Sequence, residues 1–243
     1  NRYNYAQDLR LSIRGFGARS SFGIRGVKII VDGIPETLPD GQGSIDGVDI
    51  GSIYKINVIR GPSSSLYGNA SGGAILIETE RGSKLPFIEL RNTYGDFNLN
   101  KQQLKIGGET ANLNYLLNIS NTSVDGYREN SEFENKQFNG RFEYSLSGKS
   151  SIVSTIHHTD QPLANDPGGI TAEDVTTNPR QARSQNLNFQ AGEKVKQTRL
   201  GLVYKTQLNK SRAIEVRTYN TNRDFSNKLP FQNGGIVNLD RSF

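Results

Sequence analysis

Side chains with chemical reach are few in this chain, and none stands in a spacing that would use it. His157 and His158 are neighbours in sequence; on a strand, adjacent side chains leave by opposite faces, so the pair cannot hold one ion together. Ser52 and Lys55 spell the S-x-x-K of some acyl-transfer serines, but no K-T-G follows and Ser52 precedes a strand-like run. Residues 61–68 begin and end in glycine yet lack the G-K-[ST] ending of a phosphate-cradling loop, and Gly41-Gln42-Gly43 has no strand–helix–strand setting. With no cysteine among 243 residues, thiolate metal sites and disulfides are excluded. No nucleophile–base–orienter set and no pair of carboxylates emerges. The expectation is therefore no enzyme, no catalytic residue, no resident metal and no bound cofactor.

The elements that would carry any function are short strands. The apolar fraction of 34% is low for a compact soluble chain of this length, and 26 glycines with few long apolar runs point to many strands and turns. No window reaches the ~18 consecutive apolar residues of a membrane-spanning helix. A membrane-spanning barrel strand asks for much less, about ten residues of alternating pattern. The net charge of +5 is not concentrated: residues 1–84 carry 10 basic and 8 acidic side chains, and residues 85–243 carry 19 and 16. An electrostatic footprint for nucleic acid is missing. No charged segment followed by an apolar one opens the chain, which is expected to lack its natural start and any signal peptide.

From residue 85 onward the period is two. Leu113, Tyr115, Leu117 and Ile119 alternate with Asn112, Asn114, Leu116, Asn118 and Ser120, a second face polar in four of five positions; Phe138, Phe142, Tyr144 and Leu146 alternate with Gln137, Asn139, Arg141, Glu143 and Ser145. Strands are read at about 85–97, 101–109, 112–123, 136–147, 150–160, 198–208 and 212–225. The connections at 110–111, 148–149 and 209–211 are short, while 124–135 and 161–197 are long. Short turns on one end and long loops on the other mark an up-and-down barrel with a lipid-facing outside and a wet inside. The short connection near Asn98 is an exception, and residues 229–243 read as the start of a further long loop.

Residues 1–84 read differently, as a small mixed unit. Strands are expected at 8–16, 27–31, 53–59 and 74–77, with a turn at Asp32-Gly33 and a long loop through 34–46. Three stretches then resemble, in order, the plug domain of TonB-dependent outer-membrane receptors: Ile13-Arg14-Gly15-Phe16, Val31-Asp32-Gly33-Ile34-Pro35, and residues 56–79, which hold Val-Ile-Arg-Gly-Pro at 58–62 and Gly-Gly-Ala-Ile-Leu-Ile at 72–77.

The resemblance implies an all-β chain: an α+β plug over residues 1–84, then over 85–243 the first seven or so antiparallel transmembrane strands of a barrel that in this family has about 22. The barrel would be incomplete here and the TonB box absent. It implies an outer-membrane transporter of a Gram-negative bacterium, a probable monomer in outer-membrane lipid, that binds a ferric siderophore or ferric citrate and imports it with energy from TonB and its inner-membrane complex. Alternatives are another scarce cargo (cobalamin, a nickel chelate, an oligosaccharide) or a binding barrel without transport, such as an adhesin or phage receptor. Arg14 and Arg60 fall where family plugs pair arginines with glutamates of the barrel wall. The loops at 17–21 and 37–43 match cargo-facing plug apices and would present Arg19, Ser20, Thr37, Asp40 and Gln42. Arg180 and Arg183 join them from the long loop, whose Asp-Pro-Gly-Gly-Ile-Thr at 166–171 and Asn-Pro-Arg-Gln-Ala at 178–182 are similar to receptors of the ferric-dicitrate type.

Overall fold

The alternating runs are strands in a computed structural model of the chain, which describes residues 5–6, 10–20, 23–38, 41–45, 47–62, 64–68, 70–231 and 236–242. Two sheets account for them. The first has strands β1 (Val27–Val31), β2 (Ile34–Pro35), β3 (Ile53–Arg60) and β4 (Gly73–Thr79) in the order β2-β1-β4-β3. β1 runs parallel to β4, with Val27 opposite Gly73 and Val31 opposite Ile77. β3 lies antiparallel on the other side of β4. A one-turn helix, α1 (Ser64–Tyr67), sits between β3 and β4.

The apolar positions of β1 alternate inward, and Val27, Ile29 and Val31 form the core of this unit with Ile24, Val48 and Ile77. Asp32 and Gly33 close the β1–β2 hairpin with φ of 50° and 86°, the left-handed pair that a tight hairpin requires. Among the described residues 10–16, the strand expected at 8–16 is not formed. Ile13 and Phe16 exchange backbone hydrogen bonds of 3.0 Å across a turn in which Arg14 and Gly15 have φ of 52° and 86°. Glycine at 15 and again at 17 interrupts the run before its alternation can be used in a ladder.

The second sheet is a continuous antiparallel meander of eight strands: β5 (Phe87–Gly95), β6 (Leu99–Glu109), β7 (Leu113–Val124), β8 (Phe133–Ser147), β9 (Ser150–Asn165), β10 (Gly192–Asn209), β11 (Arg212–Pro230) and β12 (Ile236–Ser242). The eighth strand corrects the expected loop at 229–243: Pro230 pairs with Ile236 and Asp224 with Ser242, so the chain folds back on β11. Strands β8 to β11 also extend several residues beyond their expected ends, which shortens the longest connection to residues 166–191. That connection carries the short helices α2 (Ala172–Thr177) and α3 (Ser184–Asn188). Tight turns at 110–112, 148–149 and 210–211 lie on one end of the sheet and the long connections on the other.

Register sorts the two faces of this wall. Ile88, Ile106, Leu117, Gly140, Ile156 and Leu200 stand in one cross-strand row on the outer face. One residue over, Lys105, Asn118, Asn139, His157 and Arg199 form the neighbouring row on the inner face, and all five are buried. They are buried because the first sheet is seated against them. His157 and His158 do leave by opposite faces: Thr198 meets His158, while Asn139 meets His157.

The link between the sheets is pinned at Gly82. Its N–H donates to Asn114 Oδ1 at 2.9 Å and its carbonyl accepts from Asn114 Nδ2 at 2.7 Å, so a side-chain amide imitates a strand partner. A Cβ at Gly82 would run into the carbonyl oxygens of Gly108 and Tyr115, which are backbone atoms of β6 and β7. Gly82→Ala is therefore expected to lower stability by about 1–3 kcal/mol, the range for forced overpacking. Thermal unfolding of the full-length protein in detergent would show this as a lower Tm, and an unchanged Tm would contradict the close approach.

Candidate functional site

Where the first unit meets the wall, most contacts are polar and several join opposite charges. Asp49 is capped in place by the Gly51 N–H at 2.7 Å and receives Lys101 Nζ at 2.8 Å and the Ser120 hydroxyl from the wall. Asn139 holds the same corner twice, accepting from the Asp49 N–H at 3.1 Å and donating to the Gly47 carbonyl at 2.8 Å. Lys105 reaches Glu80 at 2.7 Å. Arg199 pairs with Glu36 and also donates to the Pro35 carbonyl, with both charged groups almost fully buried. Arg141 lies 3.9 Å from Asp32, whose carboxylate accepts from the Thr79 N–H and hydroxyl at 3.0 and 2.6 Å. Arg223 donates to Ser44 at 3.3 Å and to Gln197 at 2.8 Å.

One apolar contact sets the height of the hairpin within this polar seam. Ile34 packs with Val153 and Val203 of the wall, and a Cβ on Gly201 would collide with its Cδ1. The glycine makes the hole into which Ile34 fits.

Arg14 and Arg60 take no part in these ties, so their expected pairing with barrel glutamates is separate from them. Carboxylates on the first unit (Asp32, Glu36, Asp49, Glu80) meet cations on the wall, whereas Arg14 and Arg60 are exposed side chains of the first unit. The wall cations missed as partners were visible in sequence as the polar half of alternating strands. Nothing in the sequence, however, paired them with carboxylates 25 to 163 residues away.

At the long-connection end, the first unit and the wall enclose a cavity of about 410 Å³. Arg10, Arg19, Arg25 and Arg241 line it, against Asp166 and Glu193. Ser20, Gln42 and Asn227 add neutral polar groups, and Phe225, Leu229 and Leu239 an apolar side. The site candidates Arg19, Ser20 and Gln42 thus converge there. Thr37 sits beside them in sequence, bridged to Gly43, with its hydroxyl buried and unpartnered. Asp40 lies outside the described residues. Arg10, Arg25 and Arg241 were not anticipated, since an isolated arginine in a strand or turn has no local signature.

Arg180 and Arg183 serve the long connection itself. Arg180 lies 5.7 and 5.5 Å from the Phe97 and Tyr127 rings, within cation–π range, and its carbonyl accepts from the Glu129 N–H. Arg183 precedes α3, its N–H bound to the Pro167 carbonyl at 2.9 Å. Arg128 gathers the connection: its guanidinium donates to the carbonyls of Gln181, Gly168 and Pro167 at 2.6–3.2 Å. Loops 125–132 and 166–191 are thereby one body.

Burial alone would raise the Asp49 carboxyl, but Lys101, Ser120 and the Gly51 N–H outweigh it and hold it below the usual carboxylate range. A depressed folded pKa gives stability that is fully present above the unfolded value near ~3.9 and lost as pH falls through the folded one. Asp49→Asn should cost about 3 kcal/mol near neutral pH, the low end for removing one partner of a buried pair. The difference in Tm between parent and variant should shrink below about pH 4; a gap independent of pH would show that Asp49 is not ionised in the fold.

Residues 1–75 match the model of the TonB-dependent Receptor Plug Domain family. Among solved structures, the chain is similar to the unliganded ferric citrate transporter FecA, with a TM-score of 0.75 at 20% identity over 99% of this chain and 40% of that one. The ferric yersiniabactin uptake receptor FyuA from Yersinia pestis gives 0.69 at 15% identity, over 89% of this chain and 35% of that one. The copper transporter OprC gives 0.64 at 16% identity, over 85% and 32%. The chain spans 40% or less of the length of these three structures.

Proposed function

We propose that this chain, a TonB-dependent receptor plug seated against eight strands of the matching barrel fold, is part of an outer-membrane transporter that takes up an anionic ferric chelate. We place the plug at 1–84 and the barrel strands at 85–243. The observation that carries the reading is the cavity at the plug apex, where four arginines face two carboxylates. A citrate- or carboxylate-type iron complex presents several anionic oxygens, and guanidinium forks meet such oxygens bidentately. The polar seam beneath the cavity supports the transport half of the reading. Among the described residues, plug and wall are joined mostly by hydrogen bonds and ion pairs, with two small apolar contacts, Ile34 against Val153 and Val203 and Tyr5 stacked on Phe133, a junction that water can solvate when it parts. The wall's outer row of Ile88, Ile106, Leu117, Ile156 and Leu200 suits lipid. The energy would come from TonB and its inner-membrane complex, and the cargo would be substrate rather than resident cofactor.

Ferric citrate binding to the full-length receptor tests this directly. Arg19→Ala and Arg241→Ala should each weaken binding about tenfold or more, because a hydrogen bond to a charged group contributes about 1.5–3 kcal/mol. Under iron limitation, cells lacking the gene should grow more slowly on the same chelate. Failure to bind any of a panel of anionic ferric chelates would overturn the iron reading.

A further inference from the structure

The wall cations that dock the plug form a series leading away from the cavity. Arg241, which lines the cavity, stands opposite Phe225. Two residues down β11 on the same face is Arg223, opposite Gln197. Two residues down β10 from Gln197 is Arg199, opposite His157. One inward row further, Thr155 of β9 stands opposite both Gly201 and Arg141. Each guanidinium is thus one row deeper than the last and one or two strands over, a spacing of about 8 to 12 Å from strand geometry. Arg223, Arg199 and Arg141 are all buried, at 4%, 2% and 8% exposure.

In the seated plug these cations are covered by groups from one short stretch. Asp32, Glu36 and Ser44 face Arg141, Arg199 and Arg223 respectively. Their donors are nevertheless not all used. Arg141 Nε and Nη1 and Arg199 Nε are buried without a hydrogen-bond partner among the described residues. A buried charged N–H without an acceptor is costly, and a guanidinium serving only as a tie would be expected to use its fork. Arg141 approaches Asp32 at 3.9 Å, too far for a hydrogen bond, while its Nη2 meets Glu143 at 2.9 Å. The open donors are available to further anionic oxygens.

We propose that Arg223, Arg199 and Arg141 are successive anion stations on the transport path, covered by the β1–β2 hairpin and the segment after it while the plug is seated, and uncovered when that segment withdraws. The inference rests on the reading of the cargo as an anionic chelate. At each station a cargo carboxylate replaces a plug carboxylate or hydroxyl, so no guanidinium is left bare in the confined space. The cargo leaves an arginine-lined cavity and meets the same chemistry one row below. The stations therefore act in passage, and the cavity in capture.

The experiment uses the full-length receptor in cells with a working energising complex, and radio-iron-labelled ferric citrate as probe. Binding is measured in de-energised cells and uptake in energised ones. The paired variants D32N/R141Q and E36Q/R199Q make each junction neutral on both sides, which keeps the plug docked through hydrogen bonds. Binding should stay within about twofold of the parent while uptake falls about tenfold, and R141K should recover most of it. Uptake at the parental rate in both paired variants would overturn the stations and leave the cavity reading standing. A parent receptor that binds no ferric citrate would overturn the cavity reading, and the stations with it. Should a paired variant fail to accumulate in the membrane, R223Q and R141K carry the same comparison.

Discussion

A charge in the narrow space between two sheets has little water to solvate it, and this condition governs the whole chain. The strands of the wall alternate, with apolar side chains on the outer face, so the inner face is rich in Lys, Arg, Asn and His. Seating another domain against that face buries them. Burial of an unpaired ion costs several kcal/mol, so the incoming surface must bring partners in register. Asp49, Glu36, Asp32 and Glu80 do this from turns and strand ends rather than from the middle of the plug sheet, where Ile29 and Val31 are needed for the core. The plug is thus apolar within and charged at its corners.

A junction of this kind is specific without being greasy. Its apolar fit of Ile34 against Gly201, Val153 and Val203 fixes position, and the ion pairs reject other placements, since a shift of a few ångströms would leave several charges buried without partners. Replacing the pairs by packed hydrocarbon would often hold as well or better. It would not part again in water with the same ease.

Much of this was legible in the sequence, for identifiable reasons. Alternation in residues such as Leu113 to Ile119 is legible because the two faces of the strand differ in chemistry, with Leu116 the one apolar residue on the polar face. Asp32-Gly33 announced its hairpin because few residue pairs accept φ of 50° and 86°. The run at 8–16 misled because alternation was counted through Arg14 and Gly15, whose left-handed backbone turns end it. The last strand was hidden because Ile236 and Val237 are adjacent, which breaks the period of two, and Asp240, Arg241 and Ser242 follow as a polar run. The cavity was half legible: Arg19, Ser20 and Gln42 belonged to recognisable turns, whereas Arg25 and Arg241 become neighbours only through the pairing of distant strands. The plug–wall pairs were the least legible, because charge complementarity over such separations is a property of the folded surface.

The parallel pairing of β1 with β4 also settles how the plug carries mechanical load. β1 begins at Val27, level with Gly73, while the anchor to the wall at Gly82 lies beyond the opposite end of β4. Tension between the start of β1 and that anchor runs along the strands. It shears the backbone bonds between them together instead of unzipping them one after another.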